Sequence, residues 1–247
     1  ENQVEDGEYV VVDAFKGQII IEPNDQELEE YTALKEKFEN YQKEVMQERH
    51  LPGETVEGFR VRLFANIEFF EEVSAVIDYA GEGVGLYRTE YSYLYNPNLP
   101  SEQELIEEYR DLASILHPRR LIIRTLDAGG DKVASEFENL EEDNPVLGLR
   151  GVRFCLRYRD MFKTQLRAIL QASQFGNVSL MFPMISGAGE LRDAKEVLEE
   201  VKQDLRNENI AFDENIAVGI VVELPSAVMI ADILAQEGDF FSIGTND

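Results

Sequence analysis

The stretch LIIRTLDAGG, residues 121–130, begins with three apolar residues and continues directly into charged and small residues. A short, almost wholly apolar run is typical of a strand that is buried on both faces, as the strands of parallel sheets are. We therefore predict a strand over Leu121–Thr125. Arg124 and Asp127 then stand at its carboxyl end, where a barrel of parallel strands presents its functional side chains.

The same pattern recurs along the chain and alternates with helical segments. Five further strands are predicted over Arg60–Ala65, Gly83–Tyr87, Ser179–Met184, Ala217–Val222 and Phe240–Gly244. Helices are predicted from a capping box at Ser101–Glu104 to Ile115, over Asp160–Ser173 and over Gly189–Asn207. Strand–helix alternation indicates an α/β fold with parallel strands, either a barrel or an open doubly wound sheet. A closed (β/α)₈ barrel has eight strands, two more than this sequence supplies.

The N-terminal region has a different character. Residues 8–22 contain two β-branched runs around a turn at Phe15-Lys16-Gly17, which predicts a hairpin. Residues 25–49 carry apolar positions at helical spacing on an otherwise polar segment, which predicts a long helix ended by Pro52-Gly53. We therefore divide the chain into a hairpin over 1–24, a linker helix over 25–54 and an α/β barrel region over 55–247.

Charge and composition exclude several classes of partner. The formal net charge is −26, from 23 basic and 49 acidic residues, so nucleic acid and anionic membranes are repelled at long range. An anionic ligand would have to be held by a local cluster of arginines. The longest apolar runs are too short to span a bilayer, and the acidic N-terminus has no basic segment of a signal peptide. Because the single cysteine, Cys155, fits a reducing compartment, we expect a cytoplasmic protein.

Several strand ends carry residues of complementary chemistry. Arg88 and Arg124 each follow an apolar run, and two converging arginines favour an anion held by bidentate hydrogen bonds. Glu223 and Asp247 follow the fifth and sixth strands, and two carboxylates on neighbouring strands favour a hard divalent cation such as Mg²⁺. In a barrel these strand ends lie on one face. The sequence therefore predicts a site for an anion and a metal ion together.

The residues alone leave the reaction open. A ligand with both a phosphate and a carboxylate would suit phosphoryl transfer, but a metal-dependent aldol or enolate enzyme would show the same carboxylate pair. Arg150 is either a third arginine of the site or part of a solvated basic face with its neighbours Arg153 and Arg157. His50 and His117 are interpreted as surface residues, and Cys155 as a small buried residue.

Six motifs occur in the order GVGLYRTEY, IIRTLDAGGDK, NPVLGLRGVR, LMFPMI, VVELPSA and FFSIGTND. Together they resemble enzyme I of the phosphoenolpyruvate-dependent phosphotransferase system, and the resemblance covers essentially the whole chain. Pyruvate phosphate dikinase and phosphoenolpyruvate synthase share the barrel and an RTE motif. The stretch RTLDAGGDK, however, looks like enzyme I.

The resemblance implies a barrel that binds phosphoenolpyruvate and Mg²⁺. It implies that Arg88 and Arg124 hold the phosphate, that Arg150 is a further arginine of the site and that Asn246 contacts the substrate. It also implies that Glu223 and Asp247 ligate Mg²⁺, with Asp247 at the substrate as well. The phosphoryl group would pass to a histidine on a swivelling domain and then to a histidine-containing phosphocarrier protein, in a homodimeric parent enzyme.

Two departures from the family pattern qualify this expectation. The Gly-Gly-x-x-Ser-His type of motif around the family's phosphohistidine is absent, and Cys155 does not match the motif of the proton-donating cysteine, which follows GTND in the family. We therefore expect a fragment, inactive by itself, with residues 1–24 as a remnant of the swivelling domain and a barrel truncated after its sixth strand. A dikinase-type parent, a nitrogen-regulatory paralogue and a non-catalytic binding or assembly module remain as alternatives.

Overall fold

The computed structural model describes residues 4, 7–94, 98–129 and 148–245. Contacts within the chain divide it into two units, Glu1–Pro52 and Gly53–Asp247. The three-part division drawn from the sequence stays a prediction. Among the described residues, no helix is both long enough and apolar enough to cross a membrane.

The first unit contains a hairpin and one long helix. Strands β1 (Val10–Asp13) and β2 (Gln18–Ile21) pair in antiparallel fashion, which confirms the predicted hairpin. The Asp13 carboxylate stabilises the turn by accepting the N–H groups of Phe15 and Lys16, each at 3.0 Å. Helix α1 (Asp25–Glu48) begins at a capping box between Asn24 and Glu27, and none of its residues is buried.

The second unit is an α/β structure around a curled sheet of six parallel strands, paired in chain order. The strands are β3 (Ala65–Ile67), β4 (Gly83–Tyr87), β5 (Arg120–Arg124), β6 (Val178–Phe182), β7 (Val218–Val222) and β8 (Phe240–Ile243). The helices are α2 (Val73–Asp78), α3 (Glu90–Leu94), α4 (Glu102–Leu116), α5 (Val152–Arg157), α6 (Arg159–Ala172), α7 (Ala188–Glu208), α8 (Pro225–Met229) and α9 (Ala231–Leu234), with single 3₁₀ turns at Phe70–Glu72 and Ser173–Phe175. This sequential parallel order confirms the predicted barrel-type α/β fold.

Two strand predictions need correction. The first strand lies over Ala65–Ile67 rather than Arg60–Ala65, and Arg60 makes only an isolated bridge with Glu54. The β-branched and aromatic composition before residue 65 suggested a strand, but Leu63 is 60% exposed and lies outside the strands that pair among the described residues. The last strand, β8, was expected to be buried on both faces. Ile243 is 73% exposed, because β8 pairs only with β7 in the part of the chain that is described.

A continuous apolar core joins the strands to the helices that cover them. Helices α4, α6 and α7 bury one face each, and strands β6 and β7 are buried along their whole length. Gly83 permits close strand packing, since a Cβ there would lie 2.4 Å from the carbonyl oxygen of Arg120. Because the strands are parallel, all their carboxyl ends lie on the same side of the sheet, and the core holds them in place.

A partly buried carboxylate, Glu108 of α4, accepts hydrogen bonds from the hydroxyl groups of Tyr87 at 2.6 Å and Ser92 at 2.9 Å. Burial raises the pKa of Glu108 above its ordinary value of 4.5, and the two hydrogen bonds offset only part of that increase. The folded protein therefore keeps this proton at pH values where the unfolded chain has released it. It follows that the contribution of Glu108 to stability falls as the pH rises above 4.5.

We expect the free energy of unfolding of the unmodified chain to decrease relative to that of E108Q as the pH rises from 4.5 toward neutrality. Glutamine does not titrate, so the difference between the two proteins isolates the ionisation of Glu108. Urea denaturation of both proteins at several pH values measures it. A difference that does not change with pH would contradict the raised pKa.

Candidate functional site

A cavity of about 680 Å³ opens at the carboxyl ends of the strands. Both apolar and charged residues line it. The charged residues on its wall are Glu68, Arg88, Glu90, Arg124, Asp127, Arg150 and Glu223. Every strand from β3 to β8 or the loop that follows it contributes to the lining, which is the arrangement expected of a barrel-type active site.

The structure brings four of the six site residues predicted from the sequence to this cavity. Arg88 follows β4, Arg124 ends β5, Arg150 lies in the turn before α5, and Glu223 follows β7. Because parallel strands of one sheet end on the same side, residues far apart in sequence converge there. The other two predicted residues, Asn246 and Asp247, lie outside the described residues.

Of the ion pairs that Arg88, Arg124 and Arg150 form at this cavity, the pair of Arg88 is the most exposed. Its guanidinium donates to the carboxylate of Glu68, which follows the neighbouring strand β3. The side chains of Arg88 and Glu68 are 38% and 45% exposed. Water screens such a pair, so it is worth only about 0.2–1 kcal/mol, and an incoming anion can replace Glu68 as the partner of Arg88.

Arg124 is held much more firmly. One terminal nitrogen lies 2.7 Å from a carboxylate oxygen of Glu90, and the other lies 3.0 Å from a carboxylate oxygen of Asp127. The Arg124 side chain is only 11% exposed, and its Nε is buried without a partner among the described residues. Two nearly buried carboxylates thus fix the plane and direction of this guanidinium.

Asp127 links Arg124 to Arg150. Its second carboxylate oxygen lies 3.0 Å from Nε of Arg150, and its own backbone N–H donates to Glu90 at 3.0 Å. Burial lowers the pKa of Arg150, but the hydrogen bond and negative charge of Asp127, with the charges of Glu223 and Glu90, outweigh it and raise the pKa overall. Arg150 is therefore a positively charged residue of the cavity wall. It is not part of a purely solvated basic face with Arg153 and Arg157, which was the other interpretation of the sequence.

The loop before α5 approaches this cluster closely because residue 151 is a glycine. Gly151 has a φ of 58°, in the left-handed region that glycine adopts without steric cost. A Cβ at this position would lie 2.8 Å from Cβ of Met184 and 3.3 Å from Asp127 Oδ1. Any larger residue would push the loop away and move Arg150 relative to Asp127.

The formal charge of the described wall bears on which ligands it can hold. It carries three arginines and four carboxylates, a formal charge of −1. An anion alone would meet no net attraction, whereas a divalent cation bound at the wall would change its formal charge from −1 to +1 and so attract an anion. One oxygen of Glu223 accepts the backbone N–H of Met184 at 2.6 Å, which orients the carboxylate on the wall.

The donors present fit a hard cation such as Mg²⁺, which typically takes one or two protein carboxylates and completes its shell with water and substrate oxygens. Glu223 supplies one such carboxylate, and Glu90 Oε2 is a buried oxygen without a partner in the described part of the chain. Within the described residues, no group of three or more His, Cys, Asp or Glu side chains forms a complete metal site by itself. The second predicted ligand, Asp247, lies outside them.

Three carboxylates hold the arginines, Glu68, Glu90 and Asp127. Sequence reasoning placed Asp127 at a strand end but gave it no partner, and it selected neither Glu68 nor Glu90. Glu90 lies two residues after Arg88, and Asp127 lies three residues after Arg124. An acidic residue shortly after each strand-end arginine was therefore the sequence pattern that could have identified both carboxylates. Glu68 had no such signal, because its arginine lies on a different strand. Pairing between strands is visible only after the sheet is formed.

The two histidines and the cysteine behave as the sequence predicted. His50 and His117 are exposed, and neither lines the cavity. Cys155 is fully buried, and burial raises the pKa of its thiol. A thiol of this kind stays protonated and unreactive, which fits a structural residue.

Comparison with known proteins shows a protein family that the chain matches and several proteins of similar sequence. Residues 42–247 match the family described as PEP-utilising enzyme, PEP-binding domain. The chain is 42% identical over 245 residues to a phosphoenolpyruvate-protein phosphotransferase of Staphylococcus carnosus (strain TM300). It is 40% identical over 245 residues to the protein of that name in Staphylococcus aureus (strain MSSA476) and 41% identical over 247 residues to the one in Priestia megaterium.

Each of these alignments covers 99% of this chain and 43% of the relative. The chain therefore spans less than half the length of the curated relatives it matches. The alignments extend over both units of the chain.

Proposed function

Since the chain belongs to the family of PEP-utilising enzymes and matches their PEP-binding domain from residue 42 to residue 247, we propose that it forms the phosphoenolpyruvate-binding region of a phosphoenolpyruvate-protein phosphotransferase. The observation that carries this proposal is the convergence of Arg88, Arg124 and Arg150 on one cavity at the carboxyl ends of the strands.

Each of the three arginines has a different role in binding the ligand. Arg124 is preset by Glu90 and Asp127 and offers a fixed positive charge at the cavity wall. Arg88 can exchange its exposed partner Glu68 for the phosphate, and Arg150 lies beside Asp127 for a second anionic group. Phosphoryl transfer depends mainly on such positioning and charge neutralisation, so these roles suit the transfer of a phosphoryl group from phosphoenolpyruvate.

Mg²⁺ is part of the proposal. Glu223 would hold it, together with Asp247, and when bound it would neutralise charge on the phosphate oxygens. The formal charge of −1 on the described wall supports this assignment, because phosphoenolpyruvate is itself multiply anionic. Asn246 and Asp247 would contact the substrate beside the metal ion.

The remaining steps of the proposal follow the resemblance to enzyme I described above, because the names of the relatives state only transfer from phosphoenolpyruvate to a protein. The phosphoryl group passes to a histidine of the enzyme and then to a histidine-containing phosphocarrier protein, in sugar transport or in a nitrogen-regulatory counterpart. Neither His50 nor His117 takes the part of the acceptor histidine. A homodimeric parent enzyme and a cytoplasmic location complete the proposal.

Calorimetric titration of phosphoenolpyruvate into the purified chain, with and without Mg²⁺, tests the central claim. We expect binding that depends on Mg²⁺, because the described wall alone does not attract an anion. Circular dichroism of the same sample establishes that the chain is folded. A folded chain that does not bind phosphoenolpyruvate with Mg²⁺ would contradict the proposal for this chain.

Replacing Glu223 with glutamine tests the metal assignment directly. We expect E223Q to lose at least about tenfold in Mg²⁺-dependent affinity for phosphoenolpyruvate, because an uncharged amide is a poor ligand for a hard cation. E237Q is the matched control, since Glu237 pairs with Arg192 outside the cavity. Equal Mg²⁺ dependence in E223Q and the unmodified chain would remove Glu223 from the metal site.

A further inference from the structure

A buried glutamine behind the cavity connects the two strand ends that carry Arg88 and Arg124. Gln165 lies on α6, is completely buried and does not line the cavity. Its Oε1 accepts the backbone N–H of Leu126 at 3.0 Å, and its Nε2 donates to the hydroxyl of Thr89 at 3.1 Å. One side chain therefore binds both the loop after β4 and the loop after β5.

Thr89 extends this connection to the arginine itself. Its hydroxyl is fully buried with the rest of the side chain and donates to the backbone carbonyl of Arg124 at 3.1 Å. Arg124 is thus fixed from both sides, through its own carbonyl and through the N–H of Leu126 two residues later. Arg88 directly precedes Thr89, so the same contacts set its position.

We propose that Gln165 is a positioning residue, which sets the distance between Arg88 and Arg124 without touching the ligand. The deep burial of the network supports this, because an unpaired polar group there would be costly and the pairing therefore selects one arrangement of the two loops. Tyr109 of α4 accepts a longer hydrogen bond from the same Nε2 at 3.4 Å, which orients the amide. The consequence for phosphoenolpyruvate rests on the function proposed above.

The chain offers a matched control at the opposite end of the sheet. Asn177 is also a buried amide, and its Nδ2 donates to the backbone carbonyls of Ala113 and Arg119, each at 2.9 Å. Asn177 precedes β6, whereas the cavity lies beyond the carboxyl ends of the strands. N177L therefore removes a comparable buried amide without touching either arginine loop.

The experiment compares Q165M, T89V and N177L by two measurements on the 247-residue chain. The first is the NMR signals of the arginine Nε–Hε groups without ligand, and the second is calorimetric affinity for phosphoenolpyruvate with Mg²⁺. We expect Q165M and T89V to shift the signals of Arg88 and Arg124 and to weaken affinity at least about tenfold, because small displacements of binding groups are costly. N177L should lower the melting temperature without either effect.

The double variant T89V/Q165M supplies a further criterion. Because both residues act through one network, its loss of affinity should be smaller than the product of the two single losses. The inference is overturned if Q165M leaves the arginine signals unchanged, or if N177L changes them as much. Shifted arginine signals in a chain that never binds phosphoenolpyruvate would refute the proposed function and leave the positioning role intact.

Discussion

Replacing Arg124 with lysine is expected to reduce Mg²⁺-dependent affinity for phosphoenolpyruvate by about two orders of magnitude. Lysine keeps the charge but has no planar fork, so it cannot satisfy Glu90 and Asp127 and also face the ligand. Losing one or two charge-assisted hydrogen bonds, each worth about 1.5–3 kcal/mol, corresponds to a loss of this size. Calorimetry on R124K and the unmodified chain measures it.

Arg167 provides the control for this substitution. It too pairs with two carboxylates, Glu102 at 2.9 Å and Glu208 at 2.6 Å, and its side chain is 18% exposed. These contacts join α6 to α4 and α7 and lie outside the cavity. R167K should therefore lose some stability and keep its affinity within about twofold, as expected for independent sites. Normal affinity in folded R124K would show that the guanidinium fork of Arg124 is not needed.

Replacing Phe182 with alanine is expected to have the largest effect on stability. Phe182 ends β6, is completely buried, and its ring packs edge-on against Phe162 of α6 with a centroid distance of 6.1 Å. Truncating a fully buried phenylalanine costs about 3–5 kcal/mol, because the cavity it leaves cannot be refilled by its neighbours. For a unit of this size we expect the melting temperature to fall by about 10 °C.

The matched control for this truncation is Phe59, which lies in the same unit and is 71% exposed. F59A should change the free energy of unfolding by no more than about 0.5 kcal/mol, because little apolar surface is buried there. Thermal denaturation followed by circular dichroism compares the two variants. Similar losses in F182A and F59A would mean that the β6–α6 contact does not form the centre of the core.

The arginines of the cavity differ in how strongly their internal partners hold them. The pair between Arg88 and Glu68 is exposed, while Arg124 sits between two nearly buried carboxylates. Breaking a buried pair by removing one partner is far more costly than losing an exposed pair. We therefore expect Arg88 to exchange Glu68 for a bound ligand, and Arg124 to keep its orientation when a ligand binds.

Much of the fold followed from short-range patterns in the sequence. The hairpin, the long helix α1 and the capping box of α4 each depend on neighbouring residues and were predicted to within a few positions. Strands β4 to β8 were found because their apolar runs are short and end in polar residues. The first strand of the sheet was predicted over Arg60–Ala65 but lies over Ala65–Ile67. Residues that favour strands occur both before and after Ala65, so the composition does not mark where the strand begins.

The convergence of Arg88, Arg124 and Glu223 was also predictable, because parallel strands in one sheet must end on the same side. The placement of Arg150 was open between two alternatives, and only the structure sets it beside Asp127. The assigned roles of all these residues in binding remain predictions, as do those of Asn246 and Asp247.

The sequence by itself determined the α/β class, the order of the elements and the strand ends that carry charged residues, because periodicity and turn residues act over a few positions. Only the tertiary structure decided which carboxylate neutralises which arginine and that Gln165 joins two loops behind the cavity. Gln165 and Thr89 are 76 residues apart in the chain, and Met184 and Glu223 are 39 apart. Contacts over such separations form only when burial in a common core excludes water and each polar group must find a partner inside the protein.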